Sequence, residues 1–153
     1  MQIFIASDHA GFELKEKLKV FLKELGYEME DKGAFELNPD DDYPDFISLV
    51  AKEIALRQAQ GDHDAKGIVI GGSGQGEAIC ANKFKSVRAV VFYGGDKKII
   101  SLSREHNDAN VLSLGARFLN EEEAKEAVKL WLETPFSKDE RHIRRIKMLE
   151  ANS

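Results

Sequence analysis

Four glycines in six residues, Gly71-Gly72-Ser73-Gly74-Gln75-Gly76, run directly into a glutamate, Glu77. Backbone without Cβ atoms approaches a ligand closely, and amide N–H groups ahead of a helix attract an anion. That anion would be a phosphate or an enediolate formed during catalysis. A carboxylate at the end of such a cradle is placed to move a proton, a role worth about 10²–10⁴ in rate. The plainer reading is a tight strand-to-helix turn closed by a first-turn glutamate that the helix dipole favours. The glycine density exceeds what a turn requires, which favours a ligand site. Three familiar motifs do not fit. The loop lacks the Gly-Lys-Ser/Thr ending of a Walker motif, its glycines do not follow Gly-x-Gly-x-x-Gly, and a Gly-x-Ser-x-Gly elbow would need glycine where Gln75 stands. Ser73 is therefore read as a hydrogen-bond donor rather than a nucleophile.

Other polar groups stand where chemistry or ordinary structure would use them. Asp8 and His9 leave an apolar run together, as a turn would also have it. His106 and Asn107 lie in a polar stretch, where a solvated surface is the usual meaning. Arg117 follows Leu114-Gly115-Ala116. Arg141, His142, Arg144 and Arg145 form a basic cluster in an acidic chain: either a solvated helix face or guanidinium forks for phosphate. Tyr43 closes an acidic loop and also fits plain packing. His63 between Asp62 and Asp64 is too little for a metal site and reads as a solvated loop.

The elements that must hold these groups alternate. Ile3–Ala6 reads as a strand, followed by a helix with Leu14, Leu18, Phe21, Leu22 and Leu25 on one face and Gly26 beyond its end. Tyr27–Glu30 is a weaker strand. An acidic loop over 32–43 leads to a helix marked by Phe46, Ile47, Val50, Ile54 and Ala55. Gly67–Ile70 is a continuous apolar strand of the parallel type, and a helix is predicted over Glu77–Phe84. Arg88–Phe92 and Asn110–Leu114 are the last strands. Between them a helix capped by Asp96 runs to about Glu105. Asn120 with Glu123, and Ser137 with Glu140, are capping-box patterns opening two further helices, the last basic and ending near Leu149. The pattern predicts an α/β, doubly wound, five-stranded and mainly parallel sheet with helices on both faces, Rossmann-like, in one domain over 1–153. Ligands bind such sheets at the carboxyl ends of strands. That rule points to Asp8–His9, to Gly71–Glu77 and to the loops flanking the fifth strand.

Composition sets outer limits. The chain of 153 residues is 42% hydrophobic and 32% charged, with net charge −5. That suits a globular domain and argues against a broad nucleic-acid-binding surface. One cysteine, Cys80, permits no intrachain disulfide and fits a reducing compartment. The opening residues lack the basic start and long apolar run of a signal peptide, and no stretch approaches the roughly 18 apolar residues of a membrane span. The expectation is a cytoplasmic protein.

Ala6-Ser7-Asp8-His9-Ala10-Gly11, Gly71 through Glu77, Ala81-Asn82-Lys83 and Ser103-Arg104-Glu105-His106-Asn107-Asp108, in this order, resemble ribose-5-phosphate isomerase type B. That family also contains galactose-6-phosphate isomerase subunits. The resemblance spans nearly the whole chain and ends at Arg141-His142-Ile143-Arg144-Arg145. It implies a doubly wound protein that works as a homodimer or tetramer, with active sites shared between subunits and the final helix, about 138–150, packed on a partner. It implies no metal and no organic cofactor. One branch of the family places a catalytic cysteine at the start of the glycine loop, where this chain has Gly71. The other uses a glutamate at the loop's end, which Glu77 matches; Cys80 matches neither and reads as a core thiol.

By the same resemblance Asp8 and His9 contact the substrate. His106 helps open the furanose ring, a task suited to an imidazole with pKa near 6.5. Asn107 binds the sugar and Tyr43 borders its pocket. Arg117, Arg141 and Arg145, with His142 beside them, take the phosphate. Ser73 and the backbone of Gly72, Gly74, Gln75 and Gly76 stabilise the enediolate. The implied reaction interconverts ribose 5-phosphate and ribulose 5-phosphate. The alternatives are an isomerase of a six-carbon sugar phosphate, such as galactose or allose 6-phosphate, and a non-catalytic phosphosugar-binding module.

Overall fold

Ile3, Ile5, Ile68, Ile70, Leu112 and Leu114 project to one side of a sheet, and Phe4, Ala6, Val69 and Val111 to the other. This is the two-residue alternation of strands buried on both faces. The computed structural model describes residues 1–153. Its strands are β1 (Gln2–Ser7), β2 (Glu28–Asp31), β3 (Lys66–Gly71), β4 (Ala89–Phe92) and β5 (Val111–Gly115). They lie in the order β2-β1-β3-β5-β4, every neighbouring pair parallel. The helices are α1 (Phe12–Glu24), α2 (Tyr43–Ala59), α3 (Gln75–Ala81), α4 (Lys98–Asn107), α5 (Glu121–Glu133) and α6 (Glu140–Ala151).

Residues of α1, α4 and α5, with Trp131 fully buried, cover the isoleucine–leucine face. Those of α2 and α3 cover the other. The doubly wound expectation holds. Parallel strands require crossovers, and here these leave β1 toward β2 and β3 toward β4. The connections therefore part between β1 and β3, a topological switch point where a crevice opens at the strand ends. No helix is long and apolar enough to cross a membrane.

Element ends differ from expectation for local reasons. α2 starts at Tyr43, because Pro44 sits comfortably in a first helical turn. α3 covers Gln75–Ala81 rather than Glu77–Phe84. Asn82 stops it by turning its side chain to the backbone of β4, accepting from Ala89 N–H at 2.8 Å and donating to its carbonyl at 3.0 Å. α4 runs to Asn107 and has Lys97, not Asp96, at its N-cap; Asp96 accepts from the Lys98 N–H at 2.9 Å. The Asn120–Glu123 capping box forms in full. The Ser137–Glu140 box does not: Asp139 is the N-cap, and Ser137 accepts only from the Asp139 N–H, at 3.3 Å.

α1 begins against the end of β3 at Gly11. A Cβ on Gly11 would fall on the Ile70 backbone, 2.6 Å from its carbonyl carbon. Backbone on both sides leaves little room to yield, so Gly11→Ala is expected to destabilise the fold by about 2 kcal/mol, as overpacking does. Urea unfolding should show a lowered midpoint with an unchanged slope; an unaltered midpoint would contradict this packing.

Candidate active site

Register sets three strand ends level: Ser7 pairs with Ile70, and Gly71 with Gly115. Asp8, the glycine loop and Arg117 therefore leave the sheet from one edge, beside the switch point. The loop is laid along the continuation of β5. Ala116 and Arg117 donate their N–H groups to the carbonyls of Gly71 and Gly72, at 2.8 and 3.0 Å. Buried Ser113 holds the loop from below, its hydroxyl donating to the Gly74 carbonyl at 2.6 Å. Gly74 takes a left-handed conformation, φ 77°, at the N-cap of α3, which glycine adopts without steric cost. The N–H groups of Gly72, Ser73, Gly74 and Gly76 find no acceptor in the chain, and that of Gln75 reaches only the Ser73 hydroxyl, at 3.3 Å. The result is a cradle of free donors.

Glu77 folds back over the start of this cradle. A Cβ at position 71 would collide with its carboxylate, with Oε2 at 2.6 Å. The residue is 3% exposed and has neither a salt bridge nor a side-chain hydrogen bond to another residue. Burial pushes its pKa up; its own backbone N–H opposes this, and nearby Asp8 adds to the rise. A buried, unpaired carboxylate with a raised pKa beside free N–H donors is able to accept a proton from a bound ligand. Glu77 and a side chain at position 71 compete for one volume, which accounts for glycine there. Cys80, one turn on, is half-buried at the edge of the core beneath α2. Burial first, then Glu77, raises its thiol, so it stays protonated and unreactive.

Other groups gather around this pair. Asp8 is buried and accepts from the Gly11 N–H at 3.1 Å. Arg117, exposed, passes Gly72, where a Cβ would sit 3.2 Å from its Nη1. The Tyr43 ring lies against Gly76. His9 meets a residue absent from the sequence reading: Asp41, whose Oδ1 is 2.7 Å from Nδ1. Asp8, His9 and Asp41 place potential ligand atoms within 4.8 Å of one another. The close His9–Asp41 contact has the form of an ion pair, which accounts for the cluster without a metal. The Gln75 side chain is exposed. Asp41 was hidden in an acidic run whose long-range partner no spacing reveals. Ser113, a hydroxyl in an otherwise apolar strand, was the one signal for the support beneath the loop.

The remaining expected site residues stand elsewhere. α4 runs back against the strand direction, so His106 and Asn107 lie at the amino edge of the sheet, where the Asn107 carbonyl accepts from Arg88 at 3.1 Å. The four residue steps along β5 alone separate the two edges by about 13 Å. His106 stacks on His142, with ring centroids 4.3 Å apart and 13° between planes. His142 is the one buried residue of α6; burial, then His106, holds its pKa below the ordinary value. Arg141 and Arg145, spaced i,i+4, extend from an exposed face of the same helix. α6 is tied down by Arg88, which reaches Glu150 at 2.7 Å and Asp108 at 3.2 Å. Arg144 is exposed, and His63 is a surface residue hydrogen-bonded to Gln58. Within one chain, then, Asp8, His9, Tyr43, Glu77, the loop and Arg117 meet at one edge, and His106, Asn107, Arg141, His142 and Arg145 at the other.

Residues 3–149 match the model of a family described as Ribose/Galactose Isomerase. The chain is 41% identical over 150 residues to ribose-5-phosphate isomerase B of Mycolicibacterium paratuberculosis, covering 97% of this chain and 89% of that one. It is 39% identical to ribose-5-phosphate isomerase B of Escherichia coli, covering 98% and 95%. The crystal structure of ribose-5-phosphate isomerase B from Mycoplasma genitalium with bound ribulose-5-phosphate superposes with a TM-score of 0.91 at 36% identity, covering 99% and 95%.

The shared volume at position 71 has a measurable consequence. Gly71→Ala should drive the Glu77 carboxylate out of its recess and return its pKa toward the ordinary value of about 4.3. Carboxyl carbon NMR titration reads this directly, with circular dichroism confirming the fold. A Glu77 titration unmoved by the added methyl would refute the placement.

Proposed function

The chain belongs to the Ribose/Galactose Isomerase family, and on that premise we propose that it interconverts ribose 5-phosphate and ribulose 5-phosphate through an enediolate, with Glu77 as the base. The observation that carries the assignment of the base is the buried, unpaired Glu77 carboxylate beside the free N–H groups of Gly72, Ser73, Gly74 and Gly76. The sugar enters at the carboxyl edge of the sheet with its phosphate toward Arg117. His106 and Asp8 assist opening of the furanose ring. Glu77 removes the proton from C2 of the aldose and delivers it to C1, while the hydroxyl proton of O2 passes to O1, so two protons are relocated and nothing is consumed. Negative charge that builds on the oxygens meets donors already fixed in place, which stabilises the transition state without reorganisation. The Ser73 hydroxyl adds a donor to the backbone set.

The division of the groups between two sheet edges supports sharing of sites between copies. His106, Asn107, Arg141, His142 and Arg145 would serve the Glu77 of a second copy, giving a homodimer in which α6 reaches toward the partner. Apolar side chains left exposed on one chain, among them Ile79, Ile99, Phe118, Met148 and Leu149, offer surface for such a contact. A cytoplasmic setting fits the single free cysteine.

Glu77→Gln tests the base. Turnover of ribose 5-phosphate is expected to fall by about 10² or more, with loss of solvent exchange at C2. The wild-type acid limb of kcat/KM should lie above the ordinary glutamate pKa of about 4.3, since only the carboxylate removes a proton. Stability should move the other way. A carboxyl whose folded pKa is raised leaves folding unpenalised below the unfolded value; the penalty grows above it and is complete above the folded pKa. Glu77→Gln removes that penalty, so the variant should melt higher than wild type at neutral pH. Near-wild-type turnover would remove Glu77 from the role. Six-carbon sugar phosphates assayed alongside ribose 5-phosphate test the substrate.

Mixing tests the sharing. Glu77→Gln and Arg145→Ala proteins, each inactive, should regain about a quarter of wild-type activity after subunit exchange, because random pairing restores one site in half of the dimers. No recovery in a mixture shown by mass spectrometry to contain heterodimers would place both residues in one chain's site.

A further inference from the structure

Asp41 lies outside the groups that handle the sugar, yet it is built in with care. Asn38 makes the turn that holds it, accepting the Asp40 N–H on its side chain at 3.0 Å and the Asp41 N–H on its carbonyl at 3.2 Å. Asp41 Oδ1 then accepts from the His9 backbone N–H at 3.0 Å and lies 2.7 Å from the ring Nδ1. Its side chain is 6% exposed, that of His9 30%. No other cation of the chain lies within ion-pair distance of Asp41, whose second oxygen is buried without a partner. With Nδ1 committed to the carboxylate, Nε2 is the one ring atom left for a ligand. On a neutral ring it would be an acceptor, useless to an anion; on an imidazolium it is a donor.

The charges facing the ring decide between these forms. Asp41 from the acidic loop and Asp8 from the end of β1 raise the His9 pKa, the Asp41 hydrogen bond foremost, while partial burial and Arg117 beyond β5 oppose it. Carboxylates prevail, and the ring holds its proton further into the neutral range than a free imidazole. Arg117, which passes Gly72, lies close enough to the His9 ring to act on its charge, so this edge holds two neighbouring cationic groups.

We propose that Asp41 is a positioning residue: it fixes the His9 ring through Nδ1 and presents a protonated Nε2 to the phosphate of the substrate, alongside Arg117. This rests on the sugar-phosphate reading above and specifies how this edge of the site grips its anion.

Asp41→Asn tests it. Asparagine retains an acceptor for the His9 backbone N–H, so the loop keeps its anchor while the ring loses its counter-ion. Assigned imidazole NMR titrations should show the His9 pKa falling in the variant, and inorganic phosphate should perturb His9 in wild type far more than in the variant. In the isomerase assay at pH near 8, KM should rise by about five- to tenfold with kcat changed much less, the loss of charge assistance on one hydrogen bond. The variant-to-wild-type ratio of KM should approach one below the free imidazole pKa of about 6.5, where His9 is charged in both proteins. Taking the ratio at each pH cancels the titration of the phosphate itself. A His9 pKa unchanged by the substitution, or a KM ratio independent of pH, would overturn the proposal. Absence of wild-type turnover with phosphate still perturbing His9 would instead fault the substrate and leave the Asp41–His9 device standing.

Discussion

A carboxylate tucked over bare backbone, with no cation and no donor from another residue, is unfavourable to folding. The rest of the carboxyl edge is arranged so that Glu77 stays there. Gly71 leaves the volume empty, Gly74 turns the chain in the left-handed region, and Ser113 ties the loop down from the strand beneath. Backbone bonds from Ala116 and Arg117 fix the far side. The contacts that shape the donor cradle are thus the same ones that keep the Glu77 carboxylate out of water.

The parallel sheet supplies the geometry. Because β1, β3 and β5 end level, three chain segments distant in sequence deliver Asp8, Glu77 and Arg117 to one crevice. The same topology sends His106 and Asn107 to the opposite edge, since a helix that returns to start a parallel strand must finish at that strand's beginning. Arg104 and Arg88 fasten this amino edge. Arg104 binds the Ala109 carbonyl at 2.6 Å and Asp108 at 2.7 Å, and Arg88 holds α6 through Glu150. α6 is thereby anchored at one buried histidine while its arginines stay exposed, Arg141 within 4.0 Å of Asp139 and Arg144 and Arg145 without an ion pair in the chain.

Two cationic groups stand at the carboxyl edge, and they carry their charge in different ways. Arg117 carries a permanent charge on a flexible stem, whereas the His9 ring depends on its neighbours for its proton. The carboxylate of Asp41 both fixes the ring and favours its charged form. The acidic loop before α2, which in sequence reads only as solvated charge, is tied to the end of β1 through that contact.

The sequence by itself determined the alternation of elements, the faces of the sheet and the glycine cradle with its glutamate, because apolar period and glycine density are local properties of the chain. It also contained every residue type the site uses, in an order that resembled one family. Helix ends were less legible where a side chain found a distant partner, as Asn82 did on β4, or where a neighbouring residue took over a cap, as Asp139 did from Ser137. Only the tertiary structure decided that Glu77 is buried over Gly71, that Asp41 meets His9 across 32 residues, and that the basic helix and His106 stand away from Glu77. Desolvation, long-range pairing and the edge of a sheet at which a group emerges are set by how elements pack, and no spacing along the chain encodes them.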